Sequence, residues 1–449
     1  MKKRFYLLPV IMLMLSFVAA CTPDDNIPDT PELPGGEPVT DSYEVKSDMQ
    51  IPMSFFLNSM PEDYAAIKDI MAGAFAQRQS AIAQQIGTPD INLGFRKTTF
   101  LYPSTDVDGK PITLSAAAFW LGYFDNNGVW NDLKPDNICL MEHYTITSDA
   151  ETPSNTFCLE MFVTGNTLTI MPDYIGYGVT KDMPHPYLNH DICAINSIDA
   201  LTYGYALFND KCKNGMSPDW KLFLAGASQG AGNAIAVHKY LDTHNELATK
   251  WNFAASNCSS GPYSPVVTID KYLADGKVTY PVVFPLVIKT MLDSYPDIME
   301  GFTEEMFYSQ NYLAAKNDID SLIASKEYDT AAINQVFLAR VKEASDSTLA
   351  ENEIYITDIL STEMMDRESP ICKAFYQCLA KNDLTRGWTP IHPMKLHYSQ
   401  ADQVVPHENS LAMLEAFGDE IVTLVNSGLP TDHTTTCSLW MIGLLSQGF

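Results

Sequence analysis

The five residues G-A-S-Q-G at positions 226–230 constrain the fold of this chain more than any other feature. An apolar run at 222–225 precedes them, and an alanine-rich helical segment at 231–240 follows. Between a strand and a helix, a G-x-S-x-G sequence places the serine on a sharp turn with its hydroxyl clear of the sheet. Gly226 and Gly230 suit this turn because a side chain at either position would crowd it. We therefore predict that Ser228 is a nucleophile; the alternative is an ordinary Gly-Ser loop.

The first 20 residues are predicted to be a lipoprotein signal peptide. Lys2, Lys3 and Arg4 precede an apolar run at 5–20, which is short for a membrane span and contains Pro9. The run ends V-A-A-C and resembles a bacterial lipobox, in which the cysteine becomes lipidated after cleavage. We expect an exported lipoprotein, anchored through Cys21 at the outer membrane or cell surface. An ordinary secretory signal with an incidental cysteine is the alternative.

Composition limits the partners and cofactors of the mature chain. Residues 21–45 are rich in proline and acids, which predicts a disordered tether. Removal of residues 1–20 takes away three of the 28 basic residues and none of the 55 acids, so the formal net charge falls from −27 to −30. Such a charge repels nucleic acid and anionic headgroups, so we expect membrane attachment only through the lipid. Cysteines outside the lipobox could form disulfides after export, Cys372 with Cys378 among them, or stay as buried thiols. Metal-ligand spacings such as C-x-x-C and H-E-x-x-H are absent from the sequence, so we expect no metal or cofactor.

Strand and helix signals alternate along most of the chain. A hairpin around a D-G turn is predicted at 95–121. The other predicted strands lie at 137–142, 167–172, 222–225, 251–255, 394–399 and 421–425. The main predicted helices lie at 61–86, 153–164, 190–208 and 231–240. This alternation predicts an α/β protein with a mostly parallel sheet and helices on both faces.

The alternation stops between residues 263 and 390, where the sequence reads as mainly helical. The predicted helices of this segment lie at 304–315, 331–344 and 371–380. We predict that residues 46–262 and 391–449 form the core and that 263–390 are inserted as a helical cap over the carboxyl edge of the sheet. A separate domain with its own function is the alternative.

Chain order selects the partners of the predicted nucleophile. A serine hydroxyl needs a basic histidine, which in turn needs an acid to orient it, in the order Ser, acid, His. His407 and His433 both follow an acid, but His407 falls at the predicted start of a helix, where a solvated histidine is ordinary. His433 lies in the loop between the last strand and the last helix, so we predict it as the base. Asp402 follows a strand directly and is the predicted acid; Asp432 is the rival, better placed as a turn residue.

The negative charge that forms on attack needs two backbone N–H donors. One should come from Gln229, the residue after the serine. The other should come from the loop after an early strand, for which Tyr144 is predicted and Thr145 is the runner-up. The sequence thus predicts an oxyanion hole at Gln229 and Tyr144.

Several segments together resemble one family. Residues 102–111 are similar to a Y-x-S-T-D-x-x-G-x-P sequence, and E-H-Y-T at 142–145 stands where that family has H-G-T. P-D-Y-I-G-Y-G at 172–178, with H-P-Y-L at 185–188, matches D-Y-x-G-x-G followed by H-P-Y. With the serine motif, these segments resemble the secretory-lipase-like esterases of the α/β-hydrolase superfamily.

The resemblance implies an α/β-hydrolase fold, with His143, His185 and Tyr187 as candidate pocket residues. The sequence departs from the family at Tyr144, a position at which the family prefers glycine. Thr145 therefore stays an alternative to Tyr144 as the second oxyanion donor. Asp173 precedes the serine in the chain, so we expect it to brace the neighbouring loop rather than to serve as the acid.

We therefore expect a cofactor-free serine esterase or lipase that works through an acyl-enzyme on a small-molecule, glycan or lipid ester. The apolar segment at 282–288 favours medium-chain or aromatic acyl groups. Two alternatives stay open. One is an exported, aminopeptidase-like serine peptidase with the same three residues, and the other is a non-catalytic surface lipoprotein that binds its partners.

Overall fold

A computed structural model describes residues 42–59, 65–88, 90–158, 160–163, 165–342 and 349–447. The predicted signal peptide, Cys21 and most of the predicted tether lie outside these residues. Strand β1 begins at Glu44, so the tether prediction overlaps the start of the folded part. In the described part of the chain, every helix is too short or too polar to cross a membrane.

The strands account for the architecture of the core. In chain order they are β1 Glu44–Pro52, β2 Asn92–Thr105, β3 Pro111–Phe124, β4 Trp130–Asp132, β5 Asn137–Glu142, β6 Thr167–Pro172, β7 Leu222–Ala227, β8 Phe253–Ser259, β9 Lys277–Val278, β10 Ile354–Tyr355, β11 Met394–Tyr398 and β12 Val422–Asn426. Strands β9 and β10 form a separate two-stranded ribbon, and the others form one mixed sheet.

Helices connect most of these strands. In chain order they are α1 Met53–Ser59, α2 Ala65–Ile86, α3 Glu160–Val163, α4 His190–Lys211, α5 Gln229–Thr243, α6 Asn245–Lys250, α7 Pro265–Asp275, α8 Val283–Ser294, α9 Gln310–Ser325, α10 Thr330–Arg340, α11 Thr362–Met365, α12 Pro370–Lys381, α13 Glu408–Phe417 and α14 His433–Gln447. Helices α7 to α12 all lie between β8 and β11.

The order of the strands brings distant segments to one edge of the sheet. It runs β1-β2-β3-β6-β5-β7-β8-β11-β12, with β4 beside β3. The first three strands are antiparallel, and β6 is antiparallel to β3. From β6 to β12 all neighbouring strands are parallel. The carboxyl ends of parallel strands meet at one edge, so the turns after β5, β7, β11 and β12 gather there.

Both faces of the sheet are covered, as the alternation of side chains along each strand requires. In β5, Ile138 and Leu140 point into a cluster shared with α4 and α5. Cys139 and Met141 point the other way, into a cluster shared with α2 and α14. The prediction of an α/β sheet with helices on both faces is confirmed.

Residues 263–390, called the insertion below, have a hydrophobic cluster of their own. It contains buried side chains from α7 to α12 and also Tyr187 and Leu188 of the core. Backbone contacts tie the insertion to the core next to β5: the N–H of Asp149 donates to the carbonyl of Lys326 at 2.7 Å. The role of the insertion as a cap stays a prediction.

The helix predicted at 153–164 was wrong over most of its length. Residues 159 and 164 lie outside the described residues; of the others in this range, 153–158 form turns and irregular structure and Glu160–Val163 is helical. A tertiary contact takes a backbone group that this helix would need: the carbonyl of Thr156, which would accept from the N–H of Glu160 in a helix, instead accepts from buried Lys97. The N–H of Ser154 donates to Asp173 at 2.9 Å, which fixes the turn at its start.

Two other sequence-based expectations differ in detail from the structure. Strand β8 begins two residues later than predicted, since the N–H of Trp251 still donates to Leu247 in the preceding helical turn. The cysteines of the described residues are free thiols, including Cys372 and Cys378, which leaves the thiol alternative rather than the local disulfide.

Two helix glycines should respond in opposite ways to alanine. A Cβ on Gly73, which is exposed on α2, meets nothing within 4 Å, whereas a Cβ on Gly204, which is buried on α4, would lie 2.9 Å from Cδ1 of Ile170. We expect Gly73→Ala to raise the free energy of unfolding by about 0.5–1 kcal/mol, through helix propensity. Gly204→Ala should lower it by about 1–2 kcal/mol, because overpacking outweighs that gain. Urea unfolding measures both, and shifts of the same sign would contradict the packing at Gly204.

Candidate active site

Ser228 lies on a strained turn between β7 and α5. Its backbone has φ 55° and ψ −124°, a region that costs a non-glycine residue about 1–3 kcal/mol. A Cβ on Gly226 would lie 2.3 Å from the carbonyl oxygen of Gly230, and a Cβ on Gly230 would lie 2.1 Å from the carbonyl oxygen of Glu142. Both glycines are therefore needed for the backbones to approach, and the turn holds the serine at the carboxyl edge of the sheet.

Three of the predicted residues form a continuous hydrogen-bonded chain. Nε2 of His433 lies 2.9 Å from Oγ of Ser228. Nδ1 of the same ring lies 2.8 Å from Oδ2 of Asp402. Because an ionised carboxylate only accepts, Nδ1 carries a proton and Nε2 is left to accept from the serine hydroxyl. The residues come from turns after β7, β11 and β12, which explains how positions far apart in sequence meet.

The carboxylate of Asp402 is held in place by its own loop. Its Oδ1 accepts from the backbone N–H groups of Val404 at 3.0 Å and Val405 at 2.9 Å, leaving Oδ2 for His433. The side chain of Asp402 is 1% exposed and that of His433 is 13% exposed. The acid is thus shielded from water, while the imidazole keeps some access to solvent.

The two rival residues of the sequence analysis lie elsewhere. Oδ1 of Asp432 accepts from the N–H of Thr435 at 2.8 Å and so caps the start of α14. The ring of His407 stacks on that of Tyr398, with centroids 6.1 Å apart, and its Nδ1 lies 3.3 Å from Glu408. The structure therefore includes neither rival in the hydrogen-bonded chain of Ser228.

The predicted oxyanion loop passes directly beside the first turn of α5. The contact between Gly230 and the carbonyl of Glu142 fixes that approach. Nδ1 of His143 lies 2.7 Å from the carbonyl of Tyr144, and the His143 ring stacks on Tyr174 with centroids 4.0 Å apart. Burial lowers the pKa of His143 to about 4, so this ring is neutral at pH 7.

Between the two candidates for the second donor, Thr145 is the one that lines the pocket together with Ser228. Its Oγ1 lies 3.0 Å from the hydroxyl of Tyr187, another predicted pocket residue that lines the same space. In a trans peptide the carbonyl of one residue and the N–H of the next point in opposite directions. The contact from His143 to the Tyr144 carbonyl therefore orients the N–H of Thr145.

His185 contacts the residue that follows the serine. Its Nδ1 lies 2.8 Å from the carbonyl of Ile175, which can only accept, so the proton resides on Nδ1. Its Nε2 then accepts from the side-chain amide of Gln229 at 2.7 Å. Burial, reinforced by the nearby cation of Lys326, lowers the pKa of His185 to about 3. The neutral ring of His185 thus anchors the side chain of Gln229.

Asp173 is buried and contacts neighbouring loops rather than the serine. Its Oδ2 accepts from the hydroxyl of Ser115 at 2.6 Å, and its Oδ1 accepts from the N–H of Ser154 at 2.9 Å. This is the bracing position that the sequence analysis expects.

The pocket at Ser228 is small and apolar. Its volume is about 40 Å³. Core and insertion both contribute to its lining, and no lining residue is charged: Thr145, Tyr187, Leu188, Ser228, Pro262, Pro265, Thr268, Ile269, Tyr272, Tyr280, Val283, Val287, Leu379, Val404 and Val405. Within the described residues, no group of three or more His, Cys, Asp and Glu side chains could hold a metal ion.

Glu142 is a buried acid that the sequence analysis did not single out. It is 1% exposed, and within the described residues neither carboxyl oxygen has a hydrogen-bond partner of normal geometry. Burial raises its pKa to about 7, with Ser197 and Tyr174 offsetting part of the effect. The available signal was an acid that ends an otherwise apolar strand. Its backbone carbonyl lies against Gly230, so the serine turn packs on a residue with a buried carboxyl.

Similar folds occur among solved structures. The rice cell wall degrading esterase LipA of Xanthomonas oryzae matches with a TM-score of 0.61 and 21% identity, over 82% of this chain and 94% of its own. A Legionella pneumophila protein described as a hydrolase matches with a TM-score of 0.61 and 16% identity, over 90% of this chain and 96% of its own. No protein-family model and no curated protein sequence matches the chain.

These likenesses, with the parallel sheet and its flanking helices, define the class of fold. The chain has the α/β-hydrolase fold, as the sequence resemblance implies. At these identities the comparison extends to the fold alone.

Replacing Glu142 with glutamine should change how stability depends on pH. The unfolded carboxyl loses its proton near pH 4.5, whereas the folded one keeps it up to about pH 7. As pH rises between these values, the wild type therefore loses stability that the neutral amide of Glu142→Gln does not lose. We expect the variant to be more stable than the wild type by roughly 2–3 kcal/mol at pH 8.5 and by under about 1 kcal/mol at pH 5.

Urea unfolding at the two pH values measures this difference. Glu305→Gln, at an exposed acid of the insertion, is the matched control and should show no gain at pH 8.5. An equal stability change at both pH values for Glu142→Gln would contradict a carboxyl that is protonated in the folded state.

Proposed function

We propose that the protein is a serine hydrolase that cleaves carboxylic esters, of the esterase or lipase type. One observation carries the proposal. The chain of hydrogen bonds from Asp402 through His433 to Ser228 ends at the wall of an uncharged pocket. A serine paired in this way becomes a nucleophile at neutral pH.

In the proposed reaction, Oγ of Ser228 attacks the ester carbonyl carbon while Nε2 of His433 takes the hydroxyl proton. Asp402 keeps the imidazole in the required tautomer and stabilises its charge. Collapse of the tetrahedral intermediate breaks the ester bond, and His433 gives its proton to the departing alcohol. Water then attacks the acyl-enzyme by the same route, releasing the acid and restoring Ser228.

Backbone N–H groups would stabilise the oxyanion. The Gln229 amide lies at the start of α5, where the helix dipole also favours negative charge. The second donor is the amide of Thr145 or of Tyr144. The pocket lining and the contact from His143 to the Tyr144 carbonyl favour Thr145. The anchor from His185 to Gln229 would keep the first donor in place.

The uncharged pocket favours esters as substrates over peptides with a free amino terminus. An aminopeptidase needs a carboxylate to pair with the free ammonium group of its substrate, and the lining of the pocket contains no such group. The fold similarity to an enzyme described as a cell wall degrading esterase gives the proposal further support. The intact hydrogen-bonded chain argues against a non-catalytic binding lipoprotein.

Ser228→Ala should abolish ester hydrolysis without affecting the fold. We expect residues 42–449 of the wild type, which keep strand β1 whole, to hydrolyse p-nitrophenyl acetate and butyrate, with kcat at least about 10⁴-fold lower in the variant. Ser260→Ala, which changes another buried serine, is the matched control and should keep most of the activity. The measurement is the initial rate of p-nitrophenol release, with circular dichroism to check the fold.

Two outcomes would overturn the proposal. Equal activity of wild type and Ser228→Ala would remove the serine from the chemistry. A wild type that is inert on esters but cleaves aminoacyl p-nitroanilides would favour the peptidase, and inertness on both would favour a binding protein.

We further propose that the mature protein is attached to the outer membrane or cell surface by a lipid on Cys21. The support is the lipobox-like sequence at 18–21 together with the basic and apolar residues before it. Replacing Cys21 removes the acceptor thiol, so we expect Cys21→Ala to move the protein from the detergent phase to the aqueous phase in Triton X-114 partitioning. The control variant Cys372→Ala keeps Cys21 and should stay in the detergent phase. Partitioning of the wild type into the aqueous phase would contradict the anchor.

A further inference from the structure

The pocket at Ser228 points to a narrower substrate class than esters in general. We propose that it accepts short, uncharged acyl groups of about two to four carbons and that Leu379 and Val287 of the insertion set this limit. The inference rests on the proposed function, because the acyl group is the part of an ester that a serine nucleophile retains. Because it concerns only which esters are accepted, an experiment can contradict the chain-length limit and still support ester hydrolysis.

The first argument is that four of the hydroxyl groups around the pocket already have protein partners. The Tyr272 hydroxyl donates to the carbonyl of Val404, and the Tyr187 hydroxyl is paired with Thr145 at 3.0 Å. Oγ1 of Thr268 donates to the carbonyl of Ser264 at 3.3 Å. Two of these hydroxyl protons are therefore donated to backbone carbonyls, and only one proton of the Thr145–Tyr187 pair is left for a ligand. A polar acyl chain would exchange its hydrogen bonds to water for few donors, whereas an apolar chain has no such bonds to lose.

The second argument is charge. No lining residue carries a cation, so a carboxylate on the acyl chain would be buried without a counter-ion. The formal net charge of −27 for the chain adds long-range repulsion. We expect a hemisuccinate ester to be rejected relative to a butyrate ester of the same chain length.

The third argument is size. A volume of about 40 Å³ admits roughly three water molecules, since each needs about 10–15 Å³ on this measure. Three waters in liquid occupy about 90 Å³, roughly the space of a three- or four-carbon chain. An acyl chain of this length is shorter than the medium-chain or aromatic acyl groups that the sequence analysis favours from the apolar segment at 282–288.

The wall that sets this limit belongs to the insertion. Leu379 on α12 is 0% exposed and Val287 on α8 is 5% exposed, and both line the pocket. Their helices belong to the hydrophobic cluster of the insertion, which keeps the two side chains from moving aside. Shortening either side chain should therefore lengthen the pocket without touching Ser228, His433 or Asp402.

The test is the chain-length profile of kcat/KM on p-nitrophenyl esters from acetate to decanoate. We expect the wild type to peak at two to four carbons and to fall at least tenfold by octanoate. Leu379→Ala should move the peak to six or eight carbons. Val287→Ala removes less buried volume and should produce a smaller shift in the same direction, so it serves if Leu379→Ala fails to fold.

Leu360→Ala is the matched control. It removes the same atoms from the hydrophobic cluster of the insertion, at a leucine that is 3% exposed and outside the pocket lining. Its profile should match the wild type. Comparing hemisuccinate with butyrate esters in the same assay tests charge separately, with at least a hundredfold preference for butyrate expected.

The outcomes separate this inference from the proposed function. A wild type that peaks at octanoate or longer, or that turns over hemisuccinate as well as butyrate, would overturn the pocket assignment while leaving an esterase. A short-chain peak that neither Leu379→Ala nor Val287→Ala shifts would remove these residues as the limit. Inertness on every ester would instead overturn the proposed function itself.

Discussion

The close approach of the first turn of α5 to the end of β5 is the contact on which the rest of the site depends. With no side chain on Gly230, the helix start can lie against the carbonyl of Glu142. That approach puts the backbone amide of Gln229 and the loop at 142–145 on one side of Ser228. It also allows the strained backbone of the serine, because the surrounding packing leaves no relaxed alternative. The sheet and the first turn of α5 thus hold Ser228 in a backbone conformation that would be unfavourable in an isolated turn.

Chain order and parallel strands explain how much of the site the sequence could predict. Strands β5 and β6 have the predicted bounds because a strand buried on both faces is a continuous apolar run. Since β7, β11 and β12 run parallel, the residues that follow them must meet at one edge, whatever separates them in sequence. The same rule placed His433 rather than His407 beside Ser228, and the hydrogen bonds agree with it.

The rest depended on contacts between side chains far apart in sequence, which no local pattern encodes. The helix predicted at 153–164 did not form over most of its length, and the carbonyl of Thr156 accepts from Lys97 instead of from a helical N–H. His185 was expected in the pocket, and instead its tautomer, fixed by Ile175, makes it an acceptor for Gln229. The pocket lining likewise joins Leu379 and Val287, whose helices are separated in sequence by most of the insertion.

The insertion therefore affects the site in two ways. It supplies much of the pocket wall, and it also supports the serine turn through His185. Oγ1 of Thr290 on α8 donates to the carbonyl of His185 at 3.3 Å, and the ammonium of Lys326 lies 4.3 Å from the ring centre of Tyr177, which packs against His185. A cation at this position disfavours the imidazolium form, and only the neutral ring can accept from Gln229. The insertion thus helps to keep His185 in the one protonation state that anchors Gln229, the residue after Ser228.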